Sequence, residues 1–152
     1  MTPAHLPLVA TAGSAALLGG AFVFQWLGYA PCQMCLWQRW PHAAAIVIGV
    51  AMIVLGIRAL ALLGALAIAI GAGIAAFHAG VEQGWWEGIT ACAGGAAAGQ
   101  SAGDLFDQIM SAPIVRCDEI AWSFLGLSMA SWNAVASLGL VGIWLAAFKH
   151  AS

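Results

Sequence analysis

Residues 59–81 read ALALLGALAIAIGAGIAAFHAGV, a run of apolar and small side chains with no Asp, Glu, Lys or Arg. At 1.5 Å per residue, about 20 residues of helix cross the hydrocarbon core of a bilayer, so this run is long enough to span one. Working outward, Leu6 to Gly28, Trp40 to Ile57 and Leu127 to Phe148 are equally free of those four residue types and of comparable reach. Composition agrees, because 63% hydrophobic and 7% charged residues in a chain of 152 cannot be dissolved without exposing large apolar patches. The sequence therefore predicts an all-α membrane protein, a four-transmembrane-helix bundle forming a single integral-membrane domain over residues 1–152. The lipid bilayer is its solvent, and no nucleic-acid partner is expected. Leu6 to Gly28 has no Lys or Arg ahead of it, runs longer than the apolar region of a signal peptide and leads directly into a cysteine pair, so it is expected to be a retained helix.

The charges divide unevenly. All six acids, Glu82, Glu87, Asp104, Asp107, Asp118 and Glu119, fall between the third and fourth apolar runs. If the helices alternate, Arg58 and Lys149 lie at one face and Arg39 and Arg116 at the other, which leaves the positive-inside rule nearly silent. Connectivity says more. With four spans the first and third connections share a face, which puts Cys32, Cys35, Cys92 and Cys117 on one side. Persistent disulfide chemistry needs that side to be outside the cytosol, so both termini are expected to be cytoplasmic. The second connection is little more than Arg58 and predicts a tight helical hairpin. Redox loops are expected at about 29–39 and 82–126. The longer one carries Trp85-Trp86, then Cys92, then an Ala/Gly-dominated run at 93–103 with the composition of a flexible tether. A short helix at 104–112 follows, with Asp104 as N-cap and apolar residues at 105, 106, 109 and 110; lying on the membrane surface and packing on the bundle both satisfy that stripe.

Chemistry concentrates in Pro31-Cys32-Gln33-Met34-Cys35. A C-x-x-C pair forms a reactive disulfide, and its thiolates are the nucleophiles of disulfide exchange. Pro31 suits a first helical turn, which sets Cys32 and Cys35 at a helix N-terminus, where partial positive charge favours a thiolate. Arg39, four residues beyond Cys35, shares its helix face and can stabilise that thiolate, hold a polar ligand, or act as an interfacial anchor beside Trp37 and Trp40. His78 falls near the outer end of the third span, at the depth of Arg39 and with Glu82 at i+4; a ligand contact and an interhelical hydrogen bond both fit it. Gln25 carries the same two readings. His42 adjoins Pro41 in the turn after Arg39, whereas His5 and His150 are near the termini.

Cys92 and Cys117 are separated by 24 residues that include the tether, so a bridge between them is easy, yet four cysteines allow three pairings. A static zinc site would normally show two close pairs, and this chain has one, so no metal is expected. A c-type haem needs His where Leu36 stands, and no Gly-rich nucleotide fingerprint is present. An electron acceptor dissolved in the bilayer needs no such motif, and a quinone fits that description.

Three stretches, PCQMCLWQR at 31–39, HAGVEQGWW at 78–86 and CDEIAWSFLGLSMASW at 117–132, together resemble the disulfide bond formation protein B (DsbB) family over nearly the whole chain. The resemblance implies a multi-pass protein of the bacterial inner membrane that reoxidises a periplasmic thioredoxin-like oxidase of the DsbA type and passes the electrons to ubiquinone or menaquinone. By matching position, Cys92 would be attacked by the partner's thiolate and Cys117 would complete the loop disulfide. Cys32 would exchange with Cys117, and Cys35 would face the quinone, with Arg39 on its ring oxygen and His78 nearby. The tether would let Cys117 reach Cys32, and the short helix would confine that motion to the membrane surface. Two other readings remain. A vitamin K epoxide reductase type enzyme places its loop cysteines before the C-x-x-C, whereas here they follow it. A non-catalytic scaffold would use its cysteines only to staple loops.

Overall fold

The structure, a computed structural model, describes residues 5–88 and 115–150. Four helices dominate it: α1 (His5–Trp26), α2 (Gln33–Leu55), α3 (Leu60–Glu82) and α4 (Met129–His150), each long and apolar enough to cross a membrane. They close into a ring in which α1 and α3 each pack against both α2 and α4. In lipid, water expulsion does not drive helices together, so close packing of small side chains has to. Ala10, Ala45, Ala61, Ala65 and Ala147 line the interior around Met52, Ile68, Leu140 and the fully buried Trp144. Gly64 faces the Trp144 ring and Gly71 faces Pro41, two close approaches that use residues without a Cβ. Val47, Val54, Leu66 and Leu138 point outward, toward the hydrocarbon.

The α2–α3 hairpin is as short as Arg58 suggested. Gly56 ends α2 in the left-handed region at φ 69°, where its N–H reaches the Met52 carbonyl, and the Arg58 guanidinium sits 4.7 Å from the Phe148 ring centre. At the other end α2 begins well before the apolar run at Trp40. Cys32 caps it, accepting the Cys35 N–H at 3.3 Å, so the helix start at the cysteine pair stands and 33–39 is helix within the 29–39 drawn as a redox loop. Hydropathy places the boundary late because Gln38 and Arg39 look like loop residues, although both find partners within the bundle.

A short β-hairpin, which hydropathy does not show, precedes α4. Strands β1 (Ser123–Phe124) and β2 (Leu127–Ser128) pair antiparallel across Leu125 and Gly126, both at positive φ (51° and 78°), as a two-residue hairpin turn requires. Two-residue strands are too short to show periodicity, and Leu127-Ser128 was counted with the fourth apolar run. Ser128 leaves β2 to cap α4, taking the Ser131 N–H at 3.2 Å, and its hydroxyl donates to Glu82 at the end of α3. Cys92, the tether at 93–103 and the expected helix at 104–112 lie outside the described residues.

A Cβ at position 64 would sit 2.8 Å from three Trp144 ring atoms, whereas one at Gly73 on the same helix meets nothing within 4 Å. Gly64→Leu should therefore destabilise the detergent-solubilised bundle by about 1–3 kcal/mol, seen as a lowered thermal midpoint, while Gly73→Leu should leave it unchanged.

Candidate redox site

The head of α2 presents two thiols. Cys32 Sγ lies 3.0 Å from Cys35 Sγ, close enough for one thiol to donate to the other. That hydrogen bond to Cys35, aided by burial, pushes the Cys32 pKa up to about 12; the contact with His78 and the Cys35 N–H act in the opposite direction. Cys32 and Met34 form a buried cluster with Val81 from α3 and Cys117 from the segment before the hairpin, flanked by Phe77 and Val115. Two cysteines far apart in sequence therefore share one apolar pocket.

His78 links them. Its Nε2 is 3.6 Å from Cys32 Sγ and 3.2 Å from the Cys117 carbonyl oxygen, and Glu82 Oε1 stands 3.9 Å away. The Nδ1 side meets Gln38 at 2.9 Å, and Gln38 continues to Asn133 at 2.7 Å, with His42 3.0 Å beyond on Asn133 Oδ1. This chain of polar groups crosses the interior from α3 through α2 to α4. Gln38, His42 and His78 are all buried, so each partner is needed to offset lost solvation. Sequence reasoning placed His78 here and noted His42, but it missed Gln38 and Asn133. Their signal was present, since a side-chain amide within an otherwise apolar span calls for an internal partner.

Arg39 differs from one of the expectations for it. Its guanidinium turns to α1, donating to Gln25 Oε1 at 2.7 Å and to the Ala21 carbonyl at 3.4 Å, with Phe22 beneath it at 4.7 Å. Its charge is thus directed across to α1 and not onto the Cys35 sulfur. Gln25 gains its role from the same contact. Arg39 Nε is buried with no partner among the described residues.

A cavity of about 270 Å³ brings these groups together; Cys32, Cys35, Arg39, His78 and Asn133 all line it. One wall is aromatic, with Phe24 and Trp122 at 5.0 Å between ring centres and Phe124 stacked behind Trp122 at 6.0 Å. Trp86 stacks on Phe77 at 5.4 Å and donates to the Phe77 carbonyl, covering the end of α3. Arg116, Asp118 and Glu119 form exposed ion pairs around Cys117; the Arg116 guanidinium holds the Asp118 carboxyl below its usual range.

Comparison with known proteins gives the same family as the motifs. The family described as "Disulfide bond formation protein DsbB" matches residues 3–147. A disulfide bond formation protein B of Methylococcus capsulatus is 34% identical over 135 residues, 83% of this chain and 82% of the relative. One from Saccharophagus degradans is 32% identical over 139 residues, 84% of this chain and 81% of its own length. No solved structure gives a significant match. Four spanning helices, a dithiol at the mouth of a cavity and a second cysteine joined to it through His78 fit that membership: the chain belongs to the DsbB family of membrane disulfide bond formation proteins and is a thiol-oxidising oxidoreductase.

Proposed function

We propose that this protein reoxidises a thioredoxin-like dithiol oxidase of the DsbA type outside the cytoplasmic membrane and delivers the electrons to a membrane quinone. The observation that carries this reading is the position of His78, in contact with both Cys32 and the Cys117 segment at the edge of a cavity that Cys35 and Arg39 also line. In the relay, a thiolate of the partner attacks Cys92 of a Cys92–Cys117 disulfide. The partner's second thiol then completes its own disulfide and releases both loop thiols. Cys117 as thiolate next attacks Cys32 of a Cys32–Cys35 disulfide; Cys92 resolves the mixed disulfide, restores the loop bridge and leaves Cys32 and Cys35 reduced. Closing the Cys32–Cys35 bond again releases two electrons and two protons. The quinone, when bound, supplies the acceptor for both.

The cavity suits such a ring. Arg39 lines the cavity with a guanidinium, a donor of the kind a ring carbonyl oxygen accepts from, and Phe24 and Trp122 offer flat faces. Cys35 lines the same space, which brings the electron donor to the acceptor. Residues 1–152 act as one integral-membrane domain, with the cysteine-bearing connections periplasmic and both termini cytoplasmic, because disulfides persist on that side only. Against an inert stapled scaffold stands the open cavity beside the dithiol; a staple needs no ligand space.

Purified protein in detergent, given a quinone and a reduced thioredoxin-like dithiol protein, should reduce the quinone, and Cys35→Ser should abolish turnover; undiminished turnover in that variant would sink the relay. Arg39→Leu should raise the apparent KM for quinone about tenfold or more, the effect of losing a charge-assisted hydrogen bond of about 1.5–3 kcal/mol, with little change in the rate of disulfide exchange with the partner. Equal effects on both steps would reduce Arg39 to an anchor.

A further inference from the structure

We propose that Asn133, acting through Gln38, is a positioning residue that holds His78 with its ring proton on Nε2, directed at Cys32 and the Cys117 carbonyl. The inference rests on the reading of these cysteines as a relay. Its argument begins at a backbone carbonyl. Met34 O can only accept, so the Gln38 atom 3.2 Å from it is the amide nitrogen. That nitrogen's second hydrogen then points to His78 Nδ1 at 2.9 Å, which must be the bare, accepting nitrogen of a neutral ring. Gln38 Oε1 is left to accept from Asn133 Nδ2 at 2.7 Å, and Asn133 Oδ1 to accept from His42 Nε2 at 3.0 Å and Ser137 Oγ at 3.4 Å. Turning Gln38 would set its oxygen against the Met34 carbonyl and its NH2 against that of Asn133, and turning Asn133 would set its oxygen against Gln38 Oε1.

The far side of the ring gives the same assignment independently. The Cys117 carbonyl, 3.2 Å from Nε2, is also an acceptor only, and the Glu82 carboxyl group faces the same nitrogen at 3.9 Å. Two acceptor-only carbonyls at opposite ends of the chain thus favour the same tautomer, and the Gln38 end is needed to hold it against the alternative. The chemical consequence concerns Cys32. A neutral His78 with its proton on Nε2 does not take a proton from Cys32; it donates toward that sulfur at 3.6 Å and so favours the thiolate that leaves when the Cys32–Cys35 bond is opened or exchanged. The same N–H holds the backbone of Cys117 beside Cys32.

The test uses full-length protein with 15N-labelled histidine in detergent micelles, comparing wild type with Asn133→Leu and Gln38→Met. Wild-type His78 should show the ring-nitrogen signature of the neutral Nε2–H tautomer. Both variants should shift it toward a mixture, and the alkylation rate of Cys32, compared at one alkaline pH, should fall about three- to tenfold, the range of one lost hydrogen bond. A simple packing defect would leave the tautomer signature in place. Should Asn133→Leu not fold, Gln38→Met poses the same question. An Nδ1–H signature in the wild type, or an unchanged Nε2–H signature in a folded variant, would overturn the proposal. Absence of quinone turnover in wild type would instead remove the relay and leave the tautomer assignment standing.

Discussion

A histidine inside a bilayer must have both ring nitrogens satisfied by protein, and at His78 that requirement organises the site. One nitrogen is met by Gln38; the other faces Cys32 and the Cys117 carbonyl. Because water is absent from the hydrocarbon, each polar group introduced there calls for another, and the chain continues through Asn133 to His42 until the demand is met. Three helices and one loop segment are tied together by this sequence of bonds. The dithiol is held at a fixed place because the histidine is.

The packing beneath serves the same end. Bundle walls made largely of Ala and Gly bring the helix backbones close, and the buried Trp144 ring is accommodated by the missing side chain at Gly64. At the cysteine end the helices leave room, and the cavity opens where Cys35, Arg39 and Asn133 converge. Ser128 secures that end by capping α4 while bonding to Glu82 of α3, so the hairpin carrying Phe124 is fixed beside the aromatic wall. Tight packing at one end and a lined space at the other are both written in side-chain size.

Much of this was legible in the sequence. Charge-free runs gave the four spans, the C-x-x-C with Pro31 gave the head of α2, and helical rise put His78 at the depth of Arg39. What escaped has physical reasons. The apolar run begins only at Trp40, several residues inside α2, because hydropathy scores Gln38 and Arg39 by their polarity and not by the partners that satisfy them. The β-hairpin was missed because its strands are two residues each and its turn places Leu125, not only glycine, at positive φ. For Arg39 the i+4 spacing offers a Cys35 thiolate beside a polar ligand and an interfacial anchor, whereas its side chain crosses to Gln25, a contact between helices that no single-helix periodicity contains. Asn133 escaped because its role depends on which helix faces it.

The most direct test of the central claim, that Cys117 and the α2 dithiol form one continuous redox site, uses a variant carrying both Cys35→Ser and Cys92→Ser. Only Cys32 and Cys117 remain. Oxidised under mild conditions and digested without reductant, it should yield by mass spectrometry an intramolecular disulfide joining the peptides that contain Cys32 and Cys117. Recovery of both as separately alkylated thiols, or only as crosslinks between molecules, would contradict the account.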